Sequence, residues 1–243
     1  MQLRTAFNEW GSFTKGKFAG RQWLLAKWEV CAGVVWPQEK IDIMLGLVAQ
    51  RLDLKAENSF IDLGCGGGWM LGGLKPSVGF AVGLDFSAQM LQNAVSIKAT
   101  DALVQGEIGR LPLKDASFDR ALCYFVLINM MDDAIVERAI MDMLRVVKPG
   151  GRLLIGQLPD QARSADYDRA KASYIDFCRQ SGDLGDDLRD VNRMPQKLFD
   201  VPKLTGFLQQ SRIGYKKMPS FNPFYRPGES PTIEWRFDLL LEK

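Results

Sequence analysis

The stretch that decides the fold covers residues 59–70 and reads SFIDLGCGGGWM. It begins as a short apolar strand, breaks at a run of glycines, and resumes with helix-forming residues. Glycine lets the backbone turn through positive φ and leaves no Cβ between the chain and a ligand. A glycine-rich turn from a strand into a helix is typical of nucleotide-type binding sites, because free backbone N–H groups point outward there. The carboxylate ahead of the turn, Asp62, suits a ligand with an amino group and hydroxyls better than a pyrophosphate.

A second carboxylate follows in residues 80–87, which read FAVGLDFS. This segment has the pattern of a buried strand that ends in Asp85, about 20 residues past the first glycine. An acidic side chain at this offset reaches the ribose hydroxyls of a bound nucleoside. Asp62 and Asp85 are therefore expected at the carboxyl ends of neighbouring parallel strands, where open α/β sheets bind ligands.

Composition narrows the class of protein. The chain has 243 residues, of which 47% are hydrophobic and 25% charged, with a formal charge of +2. These values fit one large α/β domain, and the charge is too mild to predict a nucleic-acid interface. We see no signal peptide and no apolar run of bilayer length, so the expectation is a cytoplasmic protein without a membrane partner.

The chain contains no histidine. Ser-His-Asp catalysis, Cys-His catalysis and a histidine-ligated metal are therefore excluded. The cysteines are scattered without a CxxC pair, which predicts a reducing compartment and no metal site. They are Cys31, Cys65, Cys123 and Cys178. Any general base must be Asp, Glu, Tyr, Lys or Cys, so the chemistry is either undemanding in proton transfer or driven by placement.

Strand and helix patterns alternate along residues 59–158. The alternation predicts an α/β fold with a doubly wound, mostly parallel sheet, here of seven strands. The late strands at 213–218 and 232–241 are expected to form an antiparallel edge. Residues 1–36 are interpreted as a helical cap and 37–243 as the main domain, with 161–200 as a lid on the substrate side. The tryptophans of the cap either pack on the domain or cover the ligand; they are Trp10, Trp23, Trp28 and Trp36.

Four motifs follow one another along the chain. They are IDLGCGGG at 61–68, VGLD at 82–85, LP at 111–112 with SFD at 117–119, and LRVVKPGG at 144–151. In this order and spacing they resemble the class I S-adenosylmethionine-dependent methyltransferases. The resemblance covers about residues 59–158, and it implies a Rossmann-like fold with S-adenosylmethionine as the cofactor.

The resemblance also implies roles for single residues. Asp62 and the glycine turn would hold the methionine portion of the cofactor, and Asp85 would bind the ribose. Glu107 would accept from the adenine amino group, while Cys123 and Tyr124 would lie near the sulfonium. The implied cofactor-binding residues are Asp62, Gly64, Cys65, Gly66, Gly68, Asp85, Phe86, Met90, Glu107, Ile108, Cys123 and Tyr124.

The chain departs from the family pattern at two places. The turn has Gly67, Gly68 and Trp69 where many relatives have a small hydroxyl residue. Residues 127–129 read LIN, where some relatives carry a histidine. A base is therefore absent at that place, and Asn129 could only orient a substrate. The catalytic candidates are Tyr124, Asn129 and Asp132.

These observations favour methyl transfer, because alignment of the acceptor with the methyl group supplies most of the catalysis. Residues 123–126 read CYFV and lack the Asn/Asp-Pro-Pro-aromatic pattern of enzymes that methylate base amino groups. The predicted acceptor is an oxygen or nitrogen of a small metabolite, with a homodimer as a further possibility. A non-catalytic cofactor-binding subunit that needs a partner stays open, as do a protein or RNA methyltransferase and a nicotinamide-dependent oxidoreductase. The last is disfavoured by Asp62 and by the Lys-Pro-Gly-Gly element.

Overall fold

The computed structural model describes residues 38–96, 100–181, 196–222 and 228–243. The predicted cap at 1–36, with its tryptophans, lies outside the described residues, and so does the middle of the predicted lid. None of the described helices is both long enough and apolar enough to cross a membrane.

The described chain contains six helices and seven strands, which alternate along most of its length. They are α1 (Gln38–Leu52), β1 (Ser59–Leu63), α2 (Trp69–Leu74), β2 (Phe80–Asp85), α3 (Ala88–Ser96), β3 (Ala102–Gln105), β4 (Phe118–Tyr124), α4 (Asp133–Val146), β5 (Val147–Pro159), α5 (Ser164–Ser181), α6 (Val201–Gln210), β6 (Gly214–Phe221) and β7 (Thr232–Glu242). Short 3₁₀ turns lie at Lys75–Ser77, Leu127–Asn129 and Gln161–Arg163.

The strands form one seven-stranded sheet in the order β3-β2-β1-β4-β5-β7-β6. Neighbours among β1 to β5 pair in parallel, whereas β7 pairs antiparallel with both β5 and β6. The predicted doubly wound, mostly parallel fold is confirmed, with one refinement. The edge strand is β6 and not the final strand, because β7 is buried along most of its length. Strand β6 instead exposes Lys216, Lys217 and Pro219, residues that suit an unpaired edge.

A charged cluster joins three strands at the amino end of the parallel sheet. The Asp119 carboxylate in β4 accepts from the Ser59 backbone N–H at 2.8 Å and from the Ser59 hydroxyl at 2.6 Å. Lys148 in β5 donates to the same carboxylate at 3.0 Å. These donors outweigh the effect of burial and lower the pKa of Asp119 to about 2. The cluster gives a structural role to Asp119 of the SFD motif and to Lys148 of the KPGG motif.

The Asp119→Asn variant tests the stabilising effect of this cluster. Because the folded-state pKa lies below the unfolded value, the contribution is complete above about pH 4 and is lost as the pH falls towards 2. We expect the free energy of unfolding to drop by about 1–2 kcal/mol at pH 7, after allowance for screening by water. In urea titrations, the difference from wild type should shrink below about pH 4. Asp115→Asn is the matched control, since Asp115 is 74% exposed in its pair with Arg145; a drop equal to that of Asp119→Asn would contradict the assignment.

A second carboxylate, Asp238 in β7, is fully buried and accepts from four elements. Arg51 of α1 donates to it, as do the Tyr124 hydroxyl at 2.9 Å and the Ser220 hydroxyl at 2.5 Å. The backbone N–H of Gln157 donates at 2.9 Å to the oxygen that Ser220 also contacts, whereas Arg51 and Tyr124 both donate to the other oxygen. Burial raises the pKa of Asp238, while Arg51 and the other donors oppose this rise. Since every contact donates to it, the geometry fits the ionised carboxylate.

The Asp238→Asn variant would leave Arg51 facing a neutral side chain in the interior. We expect a loss of about 3 kcal/mol in the free energy of unfolding, because breaking a buried ion pair leaves one charge uncompensated. Tyr124→Phe is the graded comparison; it removes one donor and should cost about 1–2 kcal/mol. Chemical denaturation measures both variants, and a larger loss for Tyr124→Phe would contradict the central place given to the ion pair.

Candidate functional site

The turn between β1 and α2 forms the first part of the candidate site. Gly64, Gly66 and Gly68 have φ angles of +84°, +52° and +81°. The backbone N–H groups of Gly64 and Cys65 both donate to the Leu84 carbonyl, at 2.7 and 2.9 Å. The turn is thereby tied to the end of β2. Left-handed backbone at three places in five residues requires glycine, which explains the run of glycines in this motif.

Two buried carboxylates stand at the carboxyl ends of β1 and β2. Asp62 is 4% exposed and Asp85 is 6% exposed. Asp85 accepts from the Gly66 backbone N–H at 2.8 Å through one oxygen and from the Ser87 N–H at 2.9 Å through the other. A carboxylate oxygen accepts two hydrogen bonds, so each oxygen of Asp85 retains capacity for a ligand hydroxyl. The carboxylate is held in place before any ligand arrives.

The residues after β2 and β3 meet at this same edge. The Gly106 N–H donates to the Asp85 carbonyl at 3.0 Å, which places the turn that follows β3 beside the end of β2. In that turn Glu107 is exposed and Ile108 is half-buried. Met90 is buried in α3, and its N–H donates to the Ser87 hydroxyl at 3.3 Å. The helix-capping role of Ser87 is a feature that the motif analysis missed, although a serine before a helix signals it.

Cys123 and Tyr124 end β4, and their side chains have different surroundings. Cys123 is fully buried; burial and the Asp62 charge raise the pKa of its thiol, which therefore stays protonated. The Tyr124 ring packs against Gly156, where a Cβ would lie 1.8 Å from the ring. Its hydroxyl donates to Asp238, and burial together with that charge raises its pKa.

The structure gives Tyr124 a contact that the sequence did not predict. The prediction placed this side chain beside the sulfonium and the acceptor, whereas the structure places its hydroxyl in the buried Asp238 cluster. The physical reason is the attraction of the hydroxyl to a buried carboxylate that needs donors. The Tyr124 hydroxyl is thus engaged with Asp238, and a role for Tyr124 in catalysis stays a prediction.

The other two catalytic candidates also hold backbone. Asp132 is exposed and caps α4 by accepting from the Ala134 N–H at 2.8 Å. Asn129 donates through its side-chain amide to the carbonyls of Phe125 and Val126, at 3.3 and 3.1 Å. Their observed contacts are structural and show no proton-transfer pairing.

Two residues beside the site have positive φ angles, although neither is a glycine. Phe125 directly follows β4 with φ of +62°, and Gln157 in β5 has φ of +65°. Positive φ is rare for residues with bulky side chains. The Phe125 N–H donates to the Gly156 carbonyl at 3.2 Å, so the two unusual positions are neighbours.

The described ends of the predicted lid border the tips of β4 and β5. The Lys197 N–H donates to the Ile128 carbonyl, and the Phe199 N–H donates to the Pro159 carbonyl, each at 2.8 Å. Farther out, the Tyr167 hydroxyl in α5 donates to the Gln196 side-chain oxygen at 3.1 Å. The segment at 196–199 therefore lies against the residues that follow β4 and against the end of β5.

Comparison with known proteins agrees with this geometry. Residues 61–155 match a protein-family model described as a methyltransferase domain. The chain is 36% identical over 100 residues to a malonyl-(acyl-carrier protein) O-methyltransferase of Erwinia pyrifoliae, covering 41% of this chain and 37% of that one. It is 39% identical over 106 residues to a demethylmenaquinone methyltransferase of Corynebacterium kroppenstedtii, covering 44% of each. The chain thus spans less than half the length of these relatives.

A solved structure shares the fold at nearly full length. It is magnesium protoporphyrin IX methyltransferase of Synechocystis PCC 6803 with bound SAH, at a TM-score of 0.57 and 16% sequence identity. The similarity covers 99% of this chain and 96% of that chain.

Proposed function

Because the chain contains a class I S-adenosylmethionine-dependent methyltransferase domain, we propose that it transfers a methyl group to an oxygen or nitrogen of a small metabolite. The observation that carries the proposal is the pre-formed link between the Asp85 carboxylate and the glycine turn. Placement of the acceptor, and not a histidine base, is the proposed source of catalysis.

The residues at the carboxyl edge fit the proposed cofactor. S-adenosylmethionine supplies an activated methyl group on a sulfonium when it is bound. Asp85 would accept from the ribose hydroxyls with the lone pairs that Gly66 and Ser87 leave free. Asp62, buried one residue before the end of β1, would accept from the ammonium of the methionine portion. Glu107 and Ile108, in the turn after β3, are the residues proposed to recognise the adenine.

The tip of β4 supports catalysis by placement. The Cys123 thiol and the Tyr124 phenol have raised pKa values, so neither is a base at neutral pH. Asn129 is neutral, and Asp132 is an exposed helix cap. Alignment of two reactants contributes up to about 7–11 kcal/mol to lowering a barrier, which is ample for an acceptor that is already acidic or is a free amine.

A small acceptor is supported by the segment at 197–199, which lies against the residues after β4 and the end of β5. Lys197 and Phe199 are largely buried, and both donate backbone hydrogen bonds to the elements that end at the site. The names of the two curated relatives describe acceptors other than nucleic acid. The net charge of +2 is also modest for a protein that binds a polyanion.

The cofactor assignment is tested by calorimetric titration of Asp85→Ala with S-adenosylmethionine and with S-adenosylhomocysteine. We expect the Kd for both ligands to rise at least about 10-fold, because the ribose loses a charged acceptor. Asp101→Ala is the matched control. Asp101 also accepts a hydrogen bond from a backbone N–H, that of Ala81 at 2.9 Å, but it lies at the amino ends of the parallel strands, away from the candidate site. Equal affinity in the Asp85 and Asp101 variants would reject the assigned ribose site.

The acceptor class is tested with S-adenosylmethionine that carries a tritiated methyl group. We expect the label to pass to the small-molecule fraction of a metabolite extract, and not to peptides or RNA, and to require Asp85. Label found only in macromolecules would overturn the proposed substrate class. Tight binding of the cofactor without any transfer, until a second protein is added, would instead support a non-catalytic subunit.

A further inference from the structure

The chain turns sharply where β4 ends. Phe125 adopts left-handed backbone with φ of +62°, although its side chain is a buried aromatic ring. Its N–H still donates to the Gly156 carbonyl, so the pairing with β5 reaches into the turn. A bulky residue stays in this conformation only where its surroundings impose it.

The turn brings Val126 against the glycine turn. A Cβ built on Gly64 would lie 2.5 Å from Val126 Cγ2 and 3.2 Å from Cγ1. The isopropyl group therefore occupies the space that the missing side chain of Gly64 leaves open. The motif analysis did not count Val126 as part of the site.

Asn129 holds this turn through both side chain and backbone. Its amide nitrogen donates to the carbonyls of Phe125 and Val126, and its backbone N–H donates to the Val126 carbonyl at 3.0 Å. The reverse orientation of the amide would set its oxygen against two carbonyl oxygens, so the hydrogen bonds fix which atom faces them. The donor capacity of the side chain is spent on residues 125 and 126.

We propose that Asn129 is a positioning residue that fixes Val126 as the apolar wall beside the methyl group to be transferred. The inference rests on the proposed function, in which the turn beside Val126 holds the methionine portion of the cofactor. The sulfonium and its methyl group belong to that portion, so a side chain packed on Gly64 adjoins them. A wall of fixed position restricts the approach of the acceptor, which is the kind of placement on which this chemistry depends.

Calorimetry with two ligands tests the proposal without knowledge of the acceptor. S-adenosylmethionine differs from S-adenosylhomocysteine by the methyl group and its charge, so the ratio of their Kd values reports contacts to the methyl group. Val126→Ala should shift this ratio against S-adenosylmethionine about fourfold, the equivalent of one buried CH₂ group. Asn129→Ala should shift it in the same direction, by about two- to fourfold.

Asn58→Ala is the matched control. Asn58 is buried and, like Asn129, bonds a turn, in this case by accepting from the Lys55 N–H at 2.9 Å, but it lies just before β1, at the amino ends of the parallel strands. It should lose stability as Asn129→Ala does and leave the Kd ratio unchanged. The Val126→Ala, Asn129→Ala double variant should show the ratio of Val126→Ala alone, because the asparagine acts through the valine.

The outcomes separate the two proposals. Wild-type protein that binds neither ligand would overturn the proposed function and this inference with it. Wild-type protein that binds both, with an unchanged ratio in Asn129→Ala, would overturn the inference and leave the proposed function standing. Additive shifts in the double variant would also overturn it, since they would give Asn129 an effect of its own.

Discussion

One buried charge links the parallel strands β1 to β5 with the antiparallel strands β6 and β7. Asp238 lies in β7, and burial of its carboxylate is tolerable only because Arg51, Tyr124, Gln157 and Ser220 all donate to it. These donors come from α1, β4, β5 and β6. The antiparallel C-terminal strands are thus joined to the parallel, ligand-binding half by charge as well as by apolar packing. Neither half satisfies this charge by itself.

The same cluster shapes the tips of the central strands. Gln157 has left-handed backbone, and its N–H donates to Asp238. The Gln157 side chain donates to the Phe221 carbonyl at 2.7 Å. The carbonyl of the preceding residue, Gly156, accepts from the N–H of Phe125, which also has left-handed backbone. Such conformations cost free energy and persist where the surroundings over-determine them. Here the hydrogen bonds of Gly156 and Gln157 hold these two conformations at the tips of β4 and β5, beside the site.

Local pattern was enough to predict the elements that carry the motifs. The strand that ends in Asp85 and the late strands at 213–218 and 232–241 are present in the structure as β2, β6 and β7, because hydrophobic periodicity and turn residues mark them within the sequence itself. The places of Asp62 and Asp85 followed from a rule of topology, since neighbouring parallel strands end at one edge. The position of β7 between β5 and β6 was harder to predict, because it depends on which of the two late strands is more apolar on both faces.

Side-chain directions at the tip of β4 could not be predicted from the same signals. The Tyr124 hydroxyl is drawn to a carboxylate 114 residues away, and nothing near Tyr124 in the sequence marks that partner. Asn129 occupies a position where the family resemblance points to catalysis, yet its amide bonds the two carbonyls just before it. A motif fixes where the backbone goes, whereas the nearest unsatisfied charge or carbonyl decides where a polar side chain points. For a site without a histidine base, that difference separates the residues that shape the reaction space from those that merely occupy a motif.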